Sequence, residues 1–477
     1  MSIKDLIEEF YYIDGNDQSI TWYKSEDLLS RNRFDLAFKL FYLKYKNKCP
    51  ELSRELYKSH IYAITNGSFK EFGNTSKNSF KLFMDEFDSI YNSIYENQFD
   101  PSISLIPITK DEGIILNGSH RVASSINLGI KVPTVNIKHE TPKYDLNFFK
   151  IRGVSNLHIE LSLMEYLLET KNIFVACIWP VAQKALSQVL DNIGENNILY
   201  SKTINFSPNG AQNLISILYE GHSWLGDLED GYRGTISKYA KTFTTSGDVT
   251  FVFFEENNFN NVLNLKSSIR SSLNLGKHSI HINDTHDELI DLSRYVLNEN
   301  SINFLNNFNP LNIKSKYKLL INYRNEIQLK KKCVEDFVVC GSFPLQMYGI
   351  LESKDLDYLS IENIILNDSE IGSHNSYIDF FDKNIEELIY NSNNYFYYKG
   401  LKFLSLNEIK LFKENRGELK DKIFITSFLK KEKSLKNYFN KFFYRLQLIK
   451  YKTISAIIKY SKPLGLYDFL KFVYKKF

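Results

Sequence analysis

Four consecutive residues, Gly118, Ser119, His120 and Arg121, form the sharpest chemical pattern in the chain. A β-type run leads into them, and a helical stretch with small residues follows. Gly118 permits a tight turn, and the first amides of the helix then point towards whatever occupies the turn, where the helix dipole favours an anion. Arg121 adds a planar fork for phosphate oxygens, and His120 adds a hydrogen-bond donor or a proton shuttle. The pattern predicts a phosphate-binding turn; the alternative is a simple helix cap in which Arg121 pairs with a surface acid.

A second pattern joins Gly341 and Ser342 to two carboxylates, Asp355 and Asp357, which follow after twelve intervening residues. The run before the glycine has the composition of a buried strand, and the two aspartates open the next strand. Because side chains alternate along a strand, both carboxylates are expected on one face, where they can share a Mg²⁺. Gly341 permits close approach of a ligand to the backbone, and Ser342 offers a hydroxyl. The alternative is a solvent-facing strand edge in a copy without catalytic function.

Basic residues cluster in the middle of the chain. Lys266 and Arg270 share a helix face at a spacing of four, and Lys277, His278 and His281 follow on the next strand. This arrangement predicts an anion pocket that binds phosphate, because guanidinium and ammonium groups bind phosphate oxygens through charge-assisted hydrogen bonds.

The segment around this strand permits other interpretations. His281, Asp284 and His286 have the residue types of a metal cluster. The simpler interpretation is a strand that enters a helix capped at Asp284 or Thr285, since both residue types satisfy the first amides of a helix. Upstream, the stretch from Glu220 to Gly226 is a polar, aromatic loop suited to a sugar or a base.

Helices and short strands must position these motifs, and their order predicts a mixed α/β, multidomain chain. Residues 1–100 have mostly helical spacing, and residues 101–138 have the pattern strand, strand, helix, strand. A second α/β region follows, in which Phe206 to Asn213 is predicted to be a loop because it contains proline and glycine. The three early strands are predicted at residues 103–108, 113–116 and 132–137, with a helix at residues 119–128. The predicted domains are a helical region with a small α+β domain (1–150), an α/β middle domain (151–312), a third α/β domain (313–429) and a basic amphipathic helical tail (430–477).

The first motif resembles the signature of the ParB/sulfiredoxin-like superfamily. Residues 118–121 match its glycine–histidine–arginine turn, and Leu128-Gly129 and Val132-Pro133 continue the match, so that the resemblance covers about residues 60–140. It implies a ParB/sulfiredoxin-like α+β domain, whose relatives include nucleotide-dependent phosphotransfer enzymes and DNA-binding partition proteins. In kinase-type members an acidic residue acts as base towards the acceptor hydroxyl, and Glu71 is the candidate by position. The alternative for Glu71 is an exposed carboxylate without a role.

The second motif resembles the nucleotidyltransferase superfamily, in which a strand ends in Gly-Ser, a helix follows and the next strand presents Asp-x-Asp. Gly341, Ser342, Asp355 and Asp357 match this pattern, which implies a nucleotidyltransferase-like α/β fold for the third predicted domain. The family also places a third carboxylate on a later strand, and Asp379, in a β-like run, is the nearest candidate. Its role as a metal ligand beside the first two carboxylates is implied by the resemblance alone.

Charge is unevenly distributed along the chain. The 59 Lys and Arg against 56 Asp and Glu give a net charge of +3, but residues 430–477 alone carry +11, which leaves −8 for residues 1–429. The basic, amphipathic tail predicts an anionic partner such as a membrane surface. The acidic body disfavours nucleic acid as the main ligand. Because the sequence has no recognisable signal peptide, disulfide framework or apolar run of about 20 residues, we expect a cytoplasmic protein, peripheral on the inner face of the cell membrane.

Together these patterns predict a phosphotransfer enzyme of kinase type, nucleotidyltransferase type or both. The predicted cofactors are ATP or another nucleotide and Mg²⁺, and the predicted acceptor is a sugar or glycan. The stretch from Gly67 to Lys77 resembles the lead-in of proteins from bacterial surface-polysaccharide loci, which implies a role in cell-surface polysaccharide biosynthesis. Two alternatives stay open: a ParB-like DNA-binding protein, and a nucleotide-sensing regulatory protein whose catalytic turns are degenerate.

Truncation after Leu429 tests the prediction for the tail. Each basic residue near an anionic membrane contributes about 1 kcal/mol of binding free energy, and salt weakens this attraction by screening it. We expect the full chain to float with anionic liposomes at low salt and less at high salt, and the truncated chain to stay folded without floating. If the truncated chain aggregates and the full chain does not bind the liposomes, the tail packs onto the preceding domain instead.

Overall fold

The computed structural model describes residues 3–8, 11, 19–71, 77–244, 246–418, 421 and 453 of the 477-residue chain. Within these residues the chain is mixed α/β, as predicted, and its strands form three sheets. Two compact units result: unit 1 is Met1–Phe174 with Phe253–Asn257, and unit 2 is Val175–Val252 with Asn258–Phe477. The finer domain borders predicted from the sequence stay predictions. No helix in the described part is long and apolar enough to cross a membrane. The predicted tail helix over residues 430–477 lies outside the described residues, Thr453 excepted.

Unit 1 combines a small sheet with a group of helices. Its strands have the order β1-β3-β2, with β1 antiparallel and β2 parallel to the central β3. Helix α1 packs against α2, α4 and α6, and α3 packs against α4, so that α4 lies within the apolar core. The elements of unit 1 are β1 (Ile20–Tyr23), α1 (Asp35–Tyr45), α2 (Pro50–Ile64), α3 (Phe80–Asn97), β2 (Ile106–Thr109), α4 (Ser119–Leu128), β3 (Val132–Ile137), α5 (Leu146–Ile151) and α6 (Asn156–Glu169).

The predictions for residues 101–138 are largely confirmed. Both α4 and β3 have the predicted bounds, because Gly118 and Gly129 adopt left-handed conformations that begin and end the helix. The predicted strand over residues 113–116 is wrong, since within it Ile115 forms an isolated bridge to Ile108 before the chain turns at Gly118. Strand β1 escaped prediction because its side chains, such as Trp22, are largely exposed and show no alternation between buried and exposed positions.

A buried ion cluster ties α1 to the segment before the Gly118 turn. Both oxygens of Asp35 accept hydrogen bonds from Arg33, at 2.8 and 2.9 Å, and one also accepts from the Lys39 ammonium at 2.8 Å. The other end of the Arg33 guanidinium donates to the Ile115 carbonyl at 2.6 Å. Burial alone raises the pKa of Asp35, but the charges of Arg33 and Lys39 outweigh it and hold that pKa well below the ordinary value. Burial lowers the pKa of Lys39 to about 8.

Unit 2 contains most of a four-stranded sheet of order β5-β6-β4-β7 and a five-stranded sheet of order β10-β9-β8-β12-β11. In the second sheet β8 is antiparallel to β9, while β10 is parallel to β9 and β12 is parallel to β8. The elements from the start of the first sheet onwards are β4 (Ile173–Ile178), α7 (Leu186–Ile193), β5 (Ile198–Asn205), α8 (Pro208–Leu218), α9 (Gly234–Thr242), β6 (Asp248–Glu255), α10 (Phe259–Ser272), β7 (Ile280–Ile282), α11 (His286–Val296), α12 (Glu299–Asn307), α13 (Tyr317–Leu329), β8 (Phe337–Cys340), α14 (Phe343–Met347), β9 (Leu356–Ser360), β10 (Ile371–Ser373), α15 (Ile385–Tyr390), β11 (Tyr395–Tyr398), β12 (Leu401–Leu404) and α16 (Leu406–Arg416).

One segment of unit 2 that was predicted to be a loop is a helix. The prediction for Phe206 to Asn213 is wrong from Pro208 onwards, because proline at the first position of a helix loses no hydrogen bond. The hydroxyl of Ser207 caps this helix by accepting from the Gly210 amide at 3.0 Å. A side chain at Gly210 would overlap Asn306 of α12, so the glycine lets two helices approach closely.

Replacing Asp35 with asparagine tests the dependence of unit 1 on its ion cluster. Loss of one partner leaves buried charge without compensation, so we expect Asp35→Asn to lower the free energy of unfolding by about 3–5 kcal/mol. Amide hydrogen exchange in α1 at increasing urea concentration measures this change. Asp85→Asn, at an exposed position of α3, is the matched control and should have little effect.

Acid provides the check on this prediction. The pKa of Asp35 is lower in the folded than in the unfolded state, so the unfolded chain takes up a proton first as the pH falls. The stabilisation is therefore complete above about pH 4 and is lost at lower pH. The difference in unfolding free energy between the unmodified chain and Asp35→Asn should shrink below pH 4. A difference that is small at pH 7, or one that does not change with pH, would contradict the assigned role.

Candidate functional site

The turn at Gly341 and the carboxylate of Asp357 meet at one corner of the five-stranded sheet of unit 2. Antiparallel pairing of β8 and β9 sets Cys340 opposite Asp357, so that the next residue, Gly341, lies beside the Asp357 carboxylate. Gly341 has a φ of 63°, and a Cβ at this position would overlap that carboxylate. A glycine is therefore required here both by the backbone conformation and by the space. The sequence predicted that Gly341 and Asp357 act together, and the strand register brings them into contact.

A histidine that the sequence analysis missed completes this corner. His374 follows β10, the strand beside β9, and its Nε2 lies 3.0 Å from an Asp357 oxygen. Its Nδ1 is buried and has no hydrogen-bond partner within the described residues. The ring packs against Tyr377, at 4.8 Å between ring centroids, and against Phe412. The signal that was overlooked is the short run Ile371–Ser373, a strand directly followed by the histidine.

Helix α16 supports the His374 ring from behind. Phe412 of this helix contacts the ring, and the end of the helix is held by the carboxylate of Asp421. Asp421 is fully buried and accepts hydrogen bonds from Arg416 at 2.8 Å and from Lys413 at 3.0 Å. Because both donors belong to α16, these contacts stabilise the C-terminal end of the helix that carries Phe412.

The remaining residues predicted for this site are dispersed. Asp355 lies just before β9 with its side chain exposed, and Ser342 precedes the short helix α14. The predicted strand around Asp379 is wrong, since that residue is exposed on a 3₁₀ helix at Asn375–Phe380. No three metal-ligating side chains gather anywhere in the described part of the chain, so Asp379 does not complete a three-carboxylate site. Mg²⁺ is commonly held by one or two carboxylates together with substrate phosphates, and Asp357, with Asp355 two residues before it in the sequence, provides carboxylates of that type.

In unit 1 the predicted phosphate turn carries an arginine that forms no ion pair with the residues that the structure describes. Gly118 has a φ of 86°, and Ser119 is the first residue of α4. The Arg121 guanidinium folds back over Gly118 and donates to the Leu105 carbonyl at 3.4 Å. Among the described residues it forms no ion pair, and burial lowers its pKa, an effect that the charge of Glu8 partly offsets. The first turn of α4 thus presents a partly desolvated positive charge.

His120 points towards an aromatic partner. Its Nε2 lies 2.8 Å from the Tyr57 hydroxyl, and its ring packs on Phe87 at 4.6 Å between centroids. Burial, with the charges of Lys39 and Lys77, holds the pKa of His120 well below its ordinary value, so the ring is neutral at pH 7. A neutral histidine bonded to a tyrosine hydroxyl can relay a proton, which keeps the predicted shuttle role open and adds Tyr57 to it. No local signal pointed to Tyr57, which lies 63 residues away in sequence.

Glu71 belongs to the same region of unit 1. One of its oxygens lies 3.2 Å from the Lys77 ammonium, which also binds Glu86 at 2.6 Å. The same ammonium contributes to the low pKa of His120, so Lys77 links the predicted acid to the predicted histidine. Glu71 is half-exposed and can therefore contact both solvent and Lys77, whereas Lys77 is buried.

Two of the residues predicted for the anion pocket in the middle of the chain, Lys266 and His281, pair with carboxylates. The Lys266 ammonium donates to Asp284 at 2.9 Å and to the Ile282 carbonyl at 2.8 Å. Its charge is therefore neutralised within the protein, and Lys266 does not belong to the predicted anion pocket. His281 lies 2.7 Å from Glu288, and Thr285 caps α11, which confirms the capping interpretation. The predicted metal cluster around His281 does not form within the described residues. His281, Asp284 and Glu288 line part of a cavity of about 400 Å³, whose wall also includes His222 and Lys399.

Comparison with known proteins identifies no relative: no protein-family model, no curated protein and no solved structure matches the chain. The two resemblances therefore depend on the motif residues themselves and on the local geometry around Gly118 and Gly341.

Proposed function

We propose that the chain is a nucleotide-dependent phosphotransfer enzyme whose nucleotidyltransferase-like site lies at the Gly341–Asp357 corner. The observation that supports this most is the strand register, which brings Gly341, a residue without a side chain, against the carboxylate of Asp357. Asp355 lies two residues before Asp357 in the sequence. A ParB/sulfiredoxin-like turn at residues 118–121 would provide a second phosphate-binding site. The acceptor in this proposal is a sugar or glycan of cell-surface polysaccharide synthesis, handled on the cytoplasmic side of the membrane.

The residues of the corner have distinct roles in this proposal. The backbone at Gly341 and the hydroxyl of Ser342 bind phosphate oxygens, and Asp355 and Asp357 hold the metal. Mg²⁺, when bound with the nucleotide, supplies neutralisation of the charge on the transferring phosphate. His374 is a positioning residue, because its hydrogen bond orients the Asp357 carboxylate while the ring is itself held by α16.

One observation favours a second candidate, a nucleotide sensor without turnover. The Asp357 carboxylate is already bonded to His374, and the described residues offer no third carboxylate beside it. Such a protein binds a nucleotide with Mg²⁺ but releases no product. Product release during incubation with nucleotide and Mg²⁺ therefore separates the two candidates.

Substitution of both carboxylates tests the metal-dependent site. In Asp355→Asn/Asp357→Asn we expect Mg²⁺ to stop enhancing ATP affinity, because the neutral amides cannot balance its charge. Calorimetric titration of ATP with and without Mg²⁺ measures the effect, which should exceed tenfold if a charged contact of about 1.5–3 kcal/mol is lost. The matched control is Asp379→Asn, whose exposed carboxylate lies on a 3₁₀ helix and should leave the enhancement intact.

Two results would contradict the proposal for this corner. One is an unchanged Mg²⁺ effect in the double variant. The other is a large fall in its melting temperature, which would mean that the carboxylates serve the fold and not a metal. Asparagine keeps an oxygen that can accept from His374, so a purely structural loss is expected to be small.

Replacing Arg121 tests the turn in unit 1. Arg121→Ala should weaken ATP or ADP binding by about 1.5–3 kcal/mol, the contribution of a charge-assisted hydrogen bond. Arg121→Lys should lie between, since it keeps the charge and loses the planar fork. Arg152→Ala, which removes an exposed arginine of the same unit, is the control. Equal calorimetric affinities for the folded Arg121→Ala chain and the unmodified chain would remove this turn from the proposal.

A further inference from the structure

Five basic side chains of unit 2 form a group that we call the basic cluster: Lys238, Lys241, Arg270, Lys277 and His278. Two lie on α9, one on α10, and two on the 3₁₀ turn at Gly276–His278 that precedes β7. Burial and then the charges of Arg270, Lys277 and Lys241 lower the pKa of Lys238, and burial and then the charges of the three lysines lower that of His278. Residues from three separate elements thus converge on one place.

Lys238 is the centre of the basic cluster. It is 6 % exposed, and its ammonium donates to the Lys277 carbonyl at 2.6 Å. The ammonium also lies 5.4 Å from the ring centroid of Trp179 and 5.2 Å from that of Tyr219. Aromatic faces and a carbonyl attract a cation, but they do not cancel its charge. Burial, followed by the effect of neighbouring cations, lowers the pKa of Lys238 to about 8.

The basic cluster lacks a counter-ion within the described residues. Within those residues, its three lysines and the guanidinium of Arg270 form no ion pair. The Arg270 guanidinium donates a hydrogen bond to the Ile280 carbonyl at 3.3 Å instead. By contrast, Lys266, one helical turn earlier on α10, has a counter-ion, because it pairs with Asp284. Like charges held together at a partly buried place cost free energy unless an anion compensates them.

Unsatisfied donors occur in the same place. The Nε1 of Trp179, a fully buried residue against Lys238, has no hydrogen-bond partner in the part of the chain that is described. The same holds for the Nε of Arg270 and the Nδ1 of His278. More than about 90 % of buried polar groups are hydrogen-bonded in folded proteins, so several unpaired nitrogens around one group of cations call for an external acceptor.

We propose that the basic cluster binds the phosphate group of a small ligand. Phosphate offers two negative charges and several acceptor oxygens, which matches a convergent set of cations and unpaired nitrogens. A polymer is a poorer fit, because phosphate-tracking surfaces spread their cations along the backbone they follow instead of gathering them round a buried lysine. The proposal does not depend on the proposed function, since neither Asp357 nor Arg121 belongs to the basic cluster.

The test is calorimetric titration of the full chain with potassium phosphate and with glycerol phosphate, at constant ionic strength set by potassium chloride and without Mg²⁺. We expect saturable binding that sulfate competes away. Lys241→Met/Lys277→Met should weaken binding at least about tenfold, and both side chains are exposed, so the fold should persist. Lys238→Met is a second variant with the same expected direction. Lys318→Met, at an exposed position of α13, is the matched control and should bind as the unmodified chain does.

The two phosphate sources are distinguished by their affinities in the unmodified chain. Tighter binding of glycerol phosphate supports a phosphorylated metabolite, and equal or weaker binding supports free phosphate. The proposed function is tested separately by the ATP titrations, and this proposal is decided only by the difference in phosphate affinity between Lys241→Met/Lys277→Met and Lys318→Met, so the two failures are distinguishable. Absence of saturable phosphate binding, or equal phosphate affinities in the double-lysine variant and the control, would each overturn the proposal.

Discussion

This structure depends on pairing the charged groups that are buried away from water with groups of opposite charge. The carboxylate of Asp35 is the clearest case. Asp35 is 1 % exposed and forms ion pairs with Arg33 and Lys39, both of which are almost completely buried. Desolvation of these charges is costly, and the close geometry with its hydrogen bonds repays it. Because Arg33 also donates to the Ile115 carbonyl, the same cluster holds the segment that enters the Gly118 turn. The position of the candidate phosphate turn is thus a consequence of a buried ion pair.

Unit 2 solves the same problem with different residues. Lys402, 3 % exposed, binds Glu335 at 2.9 Å and donates to the Ile389 carbonyl at 3.0 Å. Asp421 holds Arg416 and Lys413 at the end of α16, which in turn supports His374. Against this background the exceptions are informative. Arg121 and the basic cluster are partly buried cations that no carboxylate of the described chain balances. Perturbed, uncompensated charges of this kind are concentrated at functional sites, where a ligand supplies the missing charge.

The two glycine turns show that one residue type can serve two needs. Gly118 and Gly341 both have positive φ values, which a side chain disfavours. Around Gly118 the space for a Cβ is filled by Ile106 and by the Arg121 guanidinium, whereas around Gly341 it is filled by Asp357. In both turns, therefore, the backbone conformation within the protein already favours glycine. Close approach of a phosphate is an additional use of the same turn, and a glycine motif alone cannot distinguish the two.

The sequence by itself determined those features that depend on near neighbours in the chain. The bounds of α4 follow from two glycines and a helical period, a cap of α11 at Asp284 or Thr285 follows from their residue types, and the strand β8 follows from an apolar run before Gly341. Each of these rules involves residues within about four positions of one another. The fold class could be predicted in the same way, because it follows from the order of such elements.

The tertiary structure decided which side chains meet. It paired Asp357 with His374 and left Asp379 on a 3₁₀ helix, it gave Lys266 a carboxylate partner, and it joined His120 to Tyr57. These pairs are separated by 17 to 63 residues in sequence. Their formation depends on which strands pair, in which register, and on which charges are buried together. Those choices are set by the free energy of the whole fold, because the desolvated charge and the excluded volume of these particular pairs are compensated between elements that are distant in the sequence.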